Sequence, residues 1–186
     1  MAAVCVFCSS AEHIDARYIL LAEHVGAGIA KGGHTLVSGG ARVSMMGAVA
    51  RAARAGGAHT VGVMPQALID VEVGDVDADE LIIVDTMRER KRLMDQRSDA
   101  FLALPGGIGT LEEFFEVWTA GSIGMHDKPV VVLDPEGFFG PLWTYLESLV
   151  DEGFVRQAAL DRVHRVSTVD DAFAVLALLD KAAPRH

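Results

Sequence analysis

Leu104-Pro105-Gly106-Gly107-Ile108-Gly109-Thr110-Leu111-Glu112-Glu113 joins an apolar run, Ala100 to Leu104, to a stretch with helical spacing that continues to Ser122. A strand end, a glycine loop and a helix start therefore follow one another directly. The glycines at 106, 107 and 109 let backbone N–H groups approach an anion without interference from Cβ atoms. The helix behind them adds amides without intrahelical partners and a favourable dipole. The segment has the makings of a phosphate cradle. It lacks the G-x-x-x-x-G-K-[ST] spacing of a nucleoside-triphosphate loop, since no lysine precedes Thr110. A dinucleotide fingerprint would use the strand that ends at Asp134 to hold a ribose, but its third glycine falls on Glu112. A mononucleotide or a sugar phosphate fits better.

The same punctuation recurs on both sides of this segment. Gly32-Gly33 precedes His34 to Ser38, Gly39-Gly40 follows it, and Gly56-Gly57 precedes His59 to Met64. Short apolar runs bracketed by turn residues read as strands. Between them Ile19, Leu20, Ala22, Val25 and Ile29, and then Met46, Val49 and Ala53, carry helical spacing. Further strands are expected over 80–85, 100–104, 129–133 and 162–166, and further helices over 87–98, 110–122, 138–150 and 169–179. About seven strands result, most of them continuous Val, Ile and Leu runs, as expected when both faces of a sheet are covered. The predicted fold is α/β: a single doubly wound, mostly parallel, Rossmann-like sheet with helices on both faces. The 186 residues suit one nucleotide-binding domain over 1–180, with a frayed tail at 181–186. Ligands of such sheets bind beyond the carboxyl ends of strands, which singles out Ser9-Ser10, Gly39 to Gly47, Pro65 to Asp79 and Pro105 to Thr110. The third of these reads as an acidic loop or lid.

Apolar residues at 51% and charged residues at 23% exclude a disordered or collagen-like chain. A net charge of −10 opposes broad nucleic-acid binding, so any bound anion must be gripped locally. No stretch reaches the roughly 18 apolar residues of a membrane span, and Met1-Ala2-Ala3-Val4-Cys5 carries no charged leader region, so a cytoplasmic protein is expected. Cys5 and Cys8 have C-x-x-C spacing, but on a strand residues three apart face opposite sides, which predicts two buried structural thiols. The seven histidines show no metal-ligand spacing, and His126 is assigned a loop role.

Just upstream of the cradle strand, Met87-Arg88-Glu89-Arg90-Lys91-Arg92-Leu93-Met94 makes a basic helix in an acidic chain, which suggests an anion partner. Met87, Arg90, Lys91 and Met94 share one face, so Arg90 and Lys91 are read as functional, whereas Arg88 and Arg92 are read as solvated surface. Glu113 lies three residues after Thr110, so a capping box competes with a catalytic carboxylate. Glu116 and Thr119 are placed near the same cleft.

Pro105-Gly106-Gly107-Ile108-Gly109-Thr110-Leu111-Glu112-Glu113 fits P-G-G-x-G-T-x-x-E, and Met87 to Met94 resembles the M-x-x-R-K-x-x-M segment ahead of it. Together they resemble the LONELY GUY proteins, cytokinin-activating phosphoribohydrolases often mislabelled as lysine decarboxylases. The likeness runs from Val4 through Pro129, with departures at Ala41 and Ser44 from a second loop that usually reads closer to G-G-G-x-x-G-L-M-G. The resemblance implies hydrolysis of the N-glycosidic bond of an N6-modified adenosine 5′-monophosphate, with AMP as a further substrate. It implies Arg90 and Glu113 as the catalytic pair, with Glu72, Lys91, Gly107, Ile108, Gly109, Thr110, Leu111, Glu112 and Thr119 around the nucleotide. It also implies a homodimer without metal or organic cofactor. The chemistry agrees, because a carboxylate stabilises the positive charge that builds on a ribose as its glycosidic bond breaks. Decarboxylation is disfavoured, since nothing suggests a pyridoxal Schiff-base lysine with its partners. The competing readings are a non-catalytic carrier of a phosphate-bearing ligand and a nucleosidase of broader specificity.

Overall fold

The computed structural model describes residues 1–72 and 74–182, with the side chains at 70–72 and 178–182 excepted. Its elements run β1 (Ala3–Phe7), α1 (Ala16–Lys31), β2 (Thr35–Ser38), α2 (Ser44–Ala55), β3 (Thr60–Pro65), α3 (Gln66–Glu72), β4 (Glu80–Val84) and α4 (Met87–Gln96). They continue with β5 (Ala100–Ala103), α5 (Ile108–Ser122), β6 (Val130–Leu133), α6 (Gly140–Asp151), α7 (Gln157–Leu160), β7 (Val163–Val166) and α8 (Val169–Ala182). The expected tail therefore begins inside α8, and 183–186 lie outside the described residues.

Seven strands form one sheet in the order β4-β3-β2-β1-β5-β6-β7, and every neighbouring pair is parallel. The chain starts in the middle, winds outward to β4, then crosses back to lay β5 beside β1. Strand order thus reverses between β1 and β5, where their carboxyl ends leave a crevice. The cradle segment follows β5, so the topology delivers it to that crevice.

Both faces of the central strands are dry, which explains their continuous apolar runs. Val4, Val6 and Cys8 pack with Ala22, Val25 and Ile29 of α1, Val49 and Ala53 of α2 and Leu176 of α8. Cys5 and Phe7 point the other way, toward Met94 of α4, Phe114 and Trp118 of α5 and Trp143 of α6. The two thiols are therefore free, buried and on opposite faces, as the strand period requires. Burial, reinforced by the Glu113 charge, pushes both well above the usual thiol range and keeps them neutral.

Two expectations needed correction. The stretch over 65–79 contains α3, where Leu68 and Ile69 pack against the core. Behind it the acidic segment expected as a loop or lid is held in place. Asp75 is buried, takes two hydrogen bonds from Arg54 at 2.7 and 3.1 Å, and donates its N–H to the Gly40 carbonyl at 2.8 Å. The segment is thereby docked on the second glycine loop. The helix expected from Thr110 starts earlier, and the capping box that competed with a catalytic carboxylate there is absent. Helix α5 starts at Ile108 with Gly107 as its cap, and the threonine cap stands at Thr86, whose Oγ1 accepts the Glu89 N–H at 3.1 Å.

Candidate active site

At the carboxyl ends of β1 and β5 lies a cavity of about 240 Å³. Cys8 to Ala11 after β1, Gly39 after β2, Met46 of α2, Arg90 of α4 and the start of α5 through Glu113 line it. The cap of α5 is a glycine and offers no side chain, so the first amides of the helix have no side-chain cap. Ile108, Gly109 and Thr110 occupy those positions. Leu111 does not, because its N–H already bonds the Gly107 carbonyl at 3.1 Å and its side chain turns into the core.

The glycines of this loop divide into two kinds. A Cβ on Gly106 would meet Thr110 Oγ1 at 2.1 Å, so that glycine is required by the protein's own packing. Cβ atoms on Gly107 and Gly109 would meet nothing within 4 Å. The protein's own packing does not require bare backbone at those two positions.

Arg90 crosses from α4 beneath this cradle. It is 6% exposed, and its Nε donates to the Val63 carbonyl at 3.1 Å while Nη2 donates to the Gly39 carbonyl at 3.4 Å. Its Nη1 lies 3.2 Å from Glu113 Oε1. Gly39 makes this seat possible, since a Cβ there would sit 1.8 Å from Arg90 Nη2. Glu113 is thus held by a fixed cation at the cavity's edge, one turn beyond the free amides. It also borders a second, more apolar hollow of about 310 Å³ between α4 and α5, floored by Phe7, Met94 and Phe101. A carboxylate positioned by a buried guanidinium, next to an anion cradle and in reach of a cleft, can stabilise a developing cation and align water.

Residues 46–176 match a family model described as "Possible lysine decarboxylase". The chain is 52% identical over 174 residues to the cytokinin riboside 5′-monophosphate phosphoribohydrolase of Mycobacterium tuberculosis, covering 94% of this chain and 92% of that protein. The chain belongs to the LONELY GUY family. A plant relative, the cytokinin riboside 5′-monophosphate phosphoribohydrolase LOG2 of Arabidopsis thaliana, is 38% identical over 183 residues, with 98% of this chain and 84% of the relative covered. Among solved structures, the Moco carrier protein from Chlamydomonas reinhardtii matches with a TM-score of 0.73 at 22% identity, covering 97% of this chain and 98% of that one. At that identity the likeness shows the shared fold.

In this LONELY GUY chain the two motif segments meet through more than one pair. Lys91 of α4 bridges Glu112 and Glu116 of α5, and its hydrogen bonds to Glu112 and then Glu116 hold its ammonium above the usual lysine range. Lys91 and Glu116 therefore border the apolar hollow, outside the cradle cavity. Thr119 does not share the cleft with Glu113. It stands six positions on, about 120° round the helix, and lines a groove shared with Trp118 and Phe154. The backbone at Glu72 ends α3, and its side chain lies outside the described residues. Of the expected inward stripe, Arg90 and Met94 are buried, whereas Met87 is exposed. Arg92 contacts Gln96 at 2.9 Å and Glu89 at 3.9 Å, but with Arg88 it also lines the apolar hollow, so neither is merely solvated surface.

Asp134 is committed within the protein. It is buried and receives Arg165 Nε at 3.1 Å and Nη2 at 2.7 Å on one oxygen and the Phe139 N–H at 3.2 Å on the other. His126 serves its loop: Nδ1 accepts the Lys128 N–H at 3.2 Å, so Nε2 is the nitrogen that donates to the Val117 carbonyl at 2.9 Å. Among the described residues, no group of three or more His, Cys, Asp or Glu could hold a metal ion. Sequence reasoning singled out the loops at Ser9-Ser10 and Gly39 to Gly47 but assigned neither to the site. Their position at strand ends was the available signal.

Proposed function

We propose that this chain hydrolyses the N-glycosidic bond of N6-modified adenosine 5′-monophosphates, releasing the free base and ribose 5-phosphate. The single observation that carries the reading is the pairing of Glu113 with buried Arg90 at 3.2 Å, one helical turn from glycines whose bareness the protein itself does not need. The names of relatives at 52% and 38% identity supply the substrate class. AMP is a second substrate on this reading, because the cradle reads the phosphate and not the N6 group.

The 5′-phosphate takes the amides of Ile108, Gly109 and Thr110, which anchors the nucleotide by a part remote from the reacting bond. As the bond from C1′ to the base nitrogen breaks, positive charge spreads over C1′ and the ring oxygen. Glu113 faces that charge and orients the water that adds to C1′, accepting its proton, while the departing base takes a proton from solvent at nitrogen and Glu113 later returns its own to solvent. Arg90 holds the carboxylate in place.

The −10 net charge supports a protein that takes no nucleic acid. No helix among the described residues is long and apolar enough to cross a membrane, which supports a cytoplasmic location. Exposed Ile108, Ile123 and Met125 around α5 support a homodimer.

Incubation with AMP, N6-isopentenyl AMP and the two matching nucleosides, followed by separation of the bases, tests the proposal. Base should appear from both nucleotides and at least about 100-fold more slowly from the nucleosides. Release from several unrelated nucleoside monophosphates at similar kcat/KM would point to a broader nucleosidase. Tight binding without release of base would point to a carrier.

A further inference from the structure

Ser44 opens α2 with a φ of 49°, the one positive value outside glycine among the described residues. In that region a Cβ crowds the following carbonyl, so a glycine would hold the turn with less strain. Strain of this kind persists where the surroundings demand it. What serine adds to glycine is a hydroxyl, and Ser44 Oγ donates to the Ala11 carbonyl at 2.6 Å. Ala11 in turn donates its N–H to Ser9 Oγ at 3.1 Å. Both polar groups of the Ala11 backbone are therefore held by serine hydroxyls, one from its own loop and one from α2.

That loop is a wall of the cradle cavity. Ser9, Ser10 and Ala11 line it together with Gly107 to Thr110. Ser9 is buried, its oxygen is fixed by the Ala11 N–H, and a hydroxyl that accepts one bond still has its proton to donate.

We infer that Ser44 is a positioning residue: its left-handed backbone carries a hydroxyl that ties the Ser9 to Ala11 loop at a set distance from the phosphate cradle. The inference rests on the nucleotide reading of that cavity. Ser44 touches no reacting atom, so it acts on substrate binding alike in the ground state and the transition state, and its loss belongs in KM.

Ser44→Gly removes both the tether and the strain, and Ser44→Ala removes the tether alone. With AMP or N6-isopentenyl AMP as substrate, both variants should raise KM by about five-fold, the worth of one hydrogen bond, with kcat within about two-fold of the parent. The thermal midpoint of Ser44→Gly should match or exceed that of the parent chain, whereas that of Ser44→Ala should fall below it. A purely structural serine predicts shifted midpoints with KM unchanged in Ser44→Gly, and that result overturns the inference, as does a loss confined to kcat. Should the parent chain release no base, calorimetric titration with AMP separates the two failures. Weaker AMP binding by Ser44→Gly upholds the tether without the hydrolase. Equal binding, or no binding by either protein, overturns it.

Discussion

Gly107 and Gly109 have no neighbour that a methyl group would disturb, and this makes them separable from Gly106, whose Cβ would strike Thr110. Gly109 lies inside the first turn of α5, where alanine is favoured over glycine by about 0.5–1 kcal/mol. Gly109→Ala should therefore raise the thermal midpoint while weakening nucleotide binding by about ten-fold or more, read by calorimetry with AMP. Gly106→Ala should do the reverse to stability, lowering the midpoint through its clash with Thr110. If Gly109→Ala bound AMP as well as the parent chain, the bare backbone would have lost its explanation. Arg90 belongs to the same scale. Arg90→Ala removes the cation that seats Glu113, and activity should fall by about 100-fold or more, measured as base released per unit of folded protein.

Elements hold these residues by contacts that can be broken one at a time. Asp75 fastens the segment behind α3 to α2 and to the Gly40 loop. Asp75→Ala should cost about 2 kcal/mol in urea unfolding, the worth of a charge-assisted pair, with most of the effect carried by the segment it anchors. A change under about 0.5 kcal/mol would show that the docking is incidental. Just before β4, Asp79 accepts the N–H and hydroxyl of Thr60 at the start of β3, and these bonds hold its carboxyl below the ordinary 3.8. A depressed folded value means that the stability it adds is present above pH 3.8 and is lost as pH falls through the lower folded value. Asp79→Asn should accordingly flatten the acid limb of the stability profile below about pH 4, followed by midpoint against pH.

The elements also show what the sequence disclosed. Strands such as Val130 to Leu133 were legible because a sheet buried on both faces leaves an unbroken apolar run. Helix α3 was not, because seven residues with Leu68 beside Ile69 carry no helical repeat to detect. The start of α5 was misread at Thr110 because a glycine cap leaves no polar signature, and Thr110 followed by Glu113 imitates one that does. Arg90 was legible through its spacing from Met94. The seat that holds it, built from the Gly39 and Val63 carbonyls, depends on contacts between residues far apart in the chain.

At the scale of the whole molecule, the winding of the sheet explains why a cradle after β5 meets a loop after β1 and an arginine from α4. The reversal of strand order between β1 and β5 opens the crevice, and the crossover that returns the chain from β4 carries Arg90 into it. Sedimentation should give twice the mass of one chain if the exposed apolar residues around α5 mark a homodimer, and a single-chain mass would refute that assignment. Fold and cradle would serve a carrier as well as a hydrolase, so the carboxylate at the cavity's edge decides between them. The measurement that bears on this most directly compares Glu113→Gln with the parent chain on N6-isopentenyl AMP, with base release and nucleotide affinity taken from the same preparations. The variant should keep nucleotide binding within about ten-fold and lose turnover by about 1,000-fold. Turnover equal to that of the parent would contradict the role assigned to Glu113 and the hydrolytic account built on it.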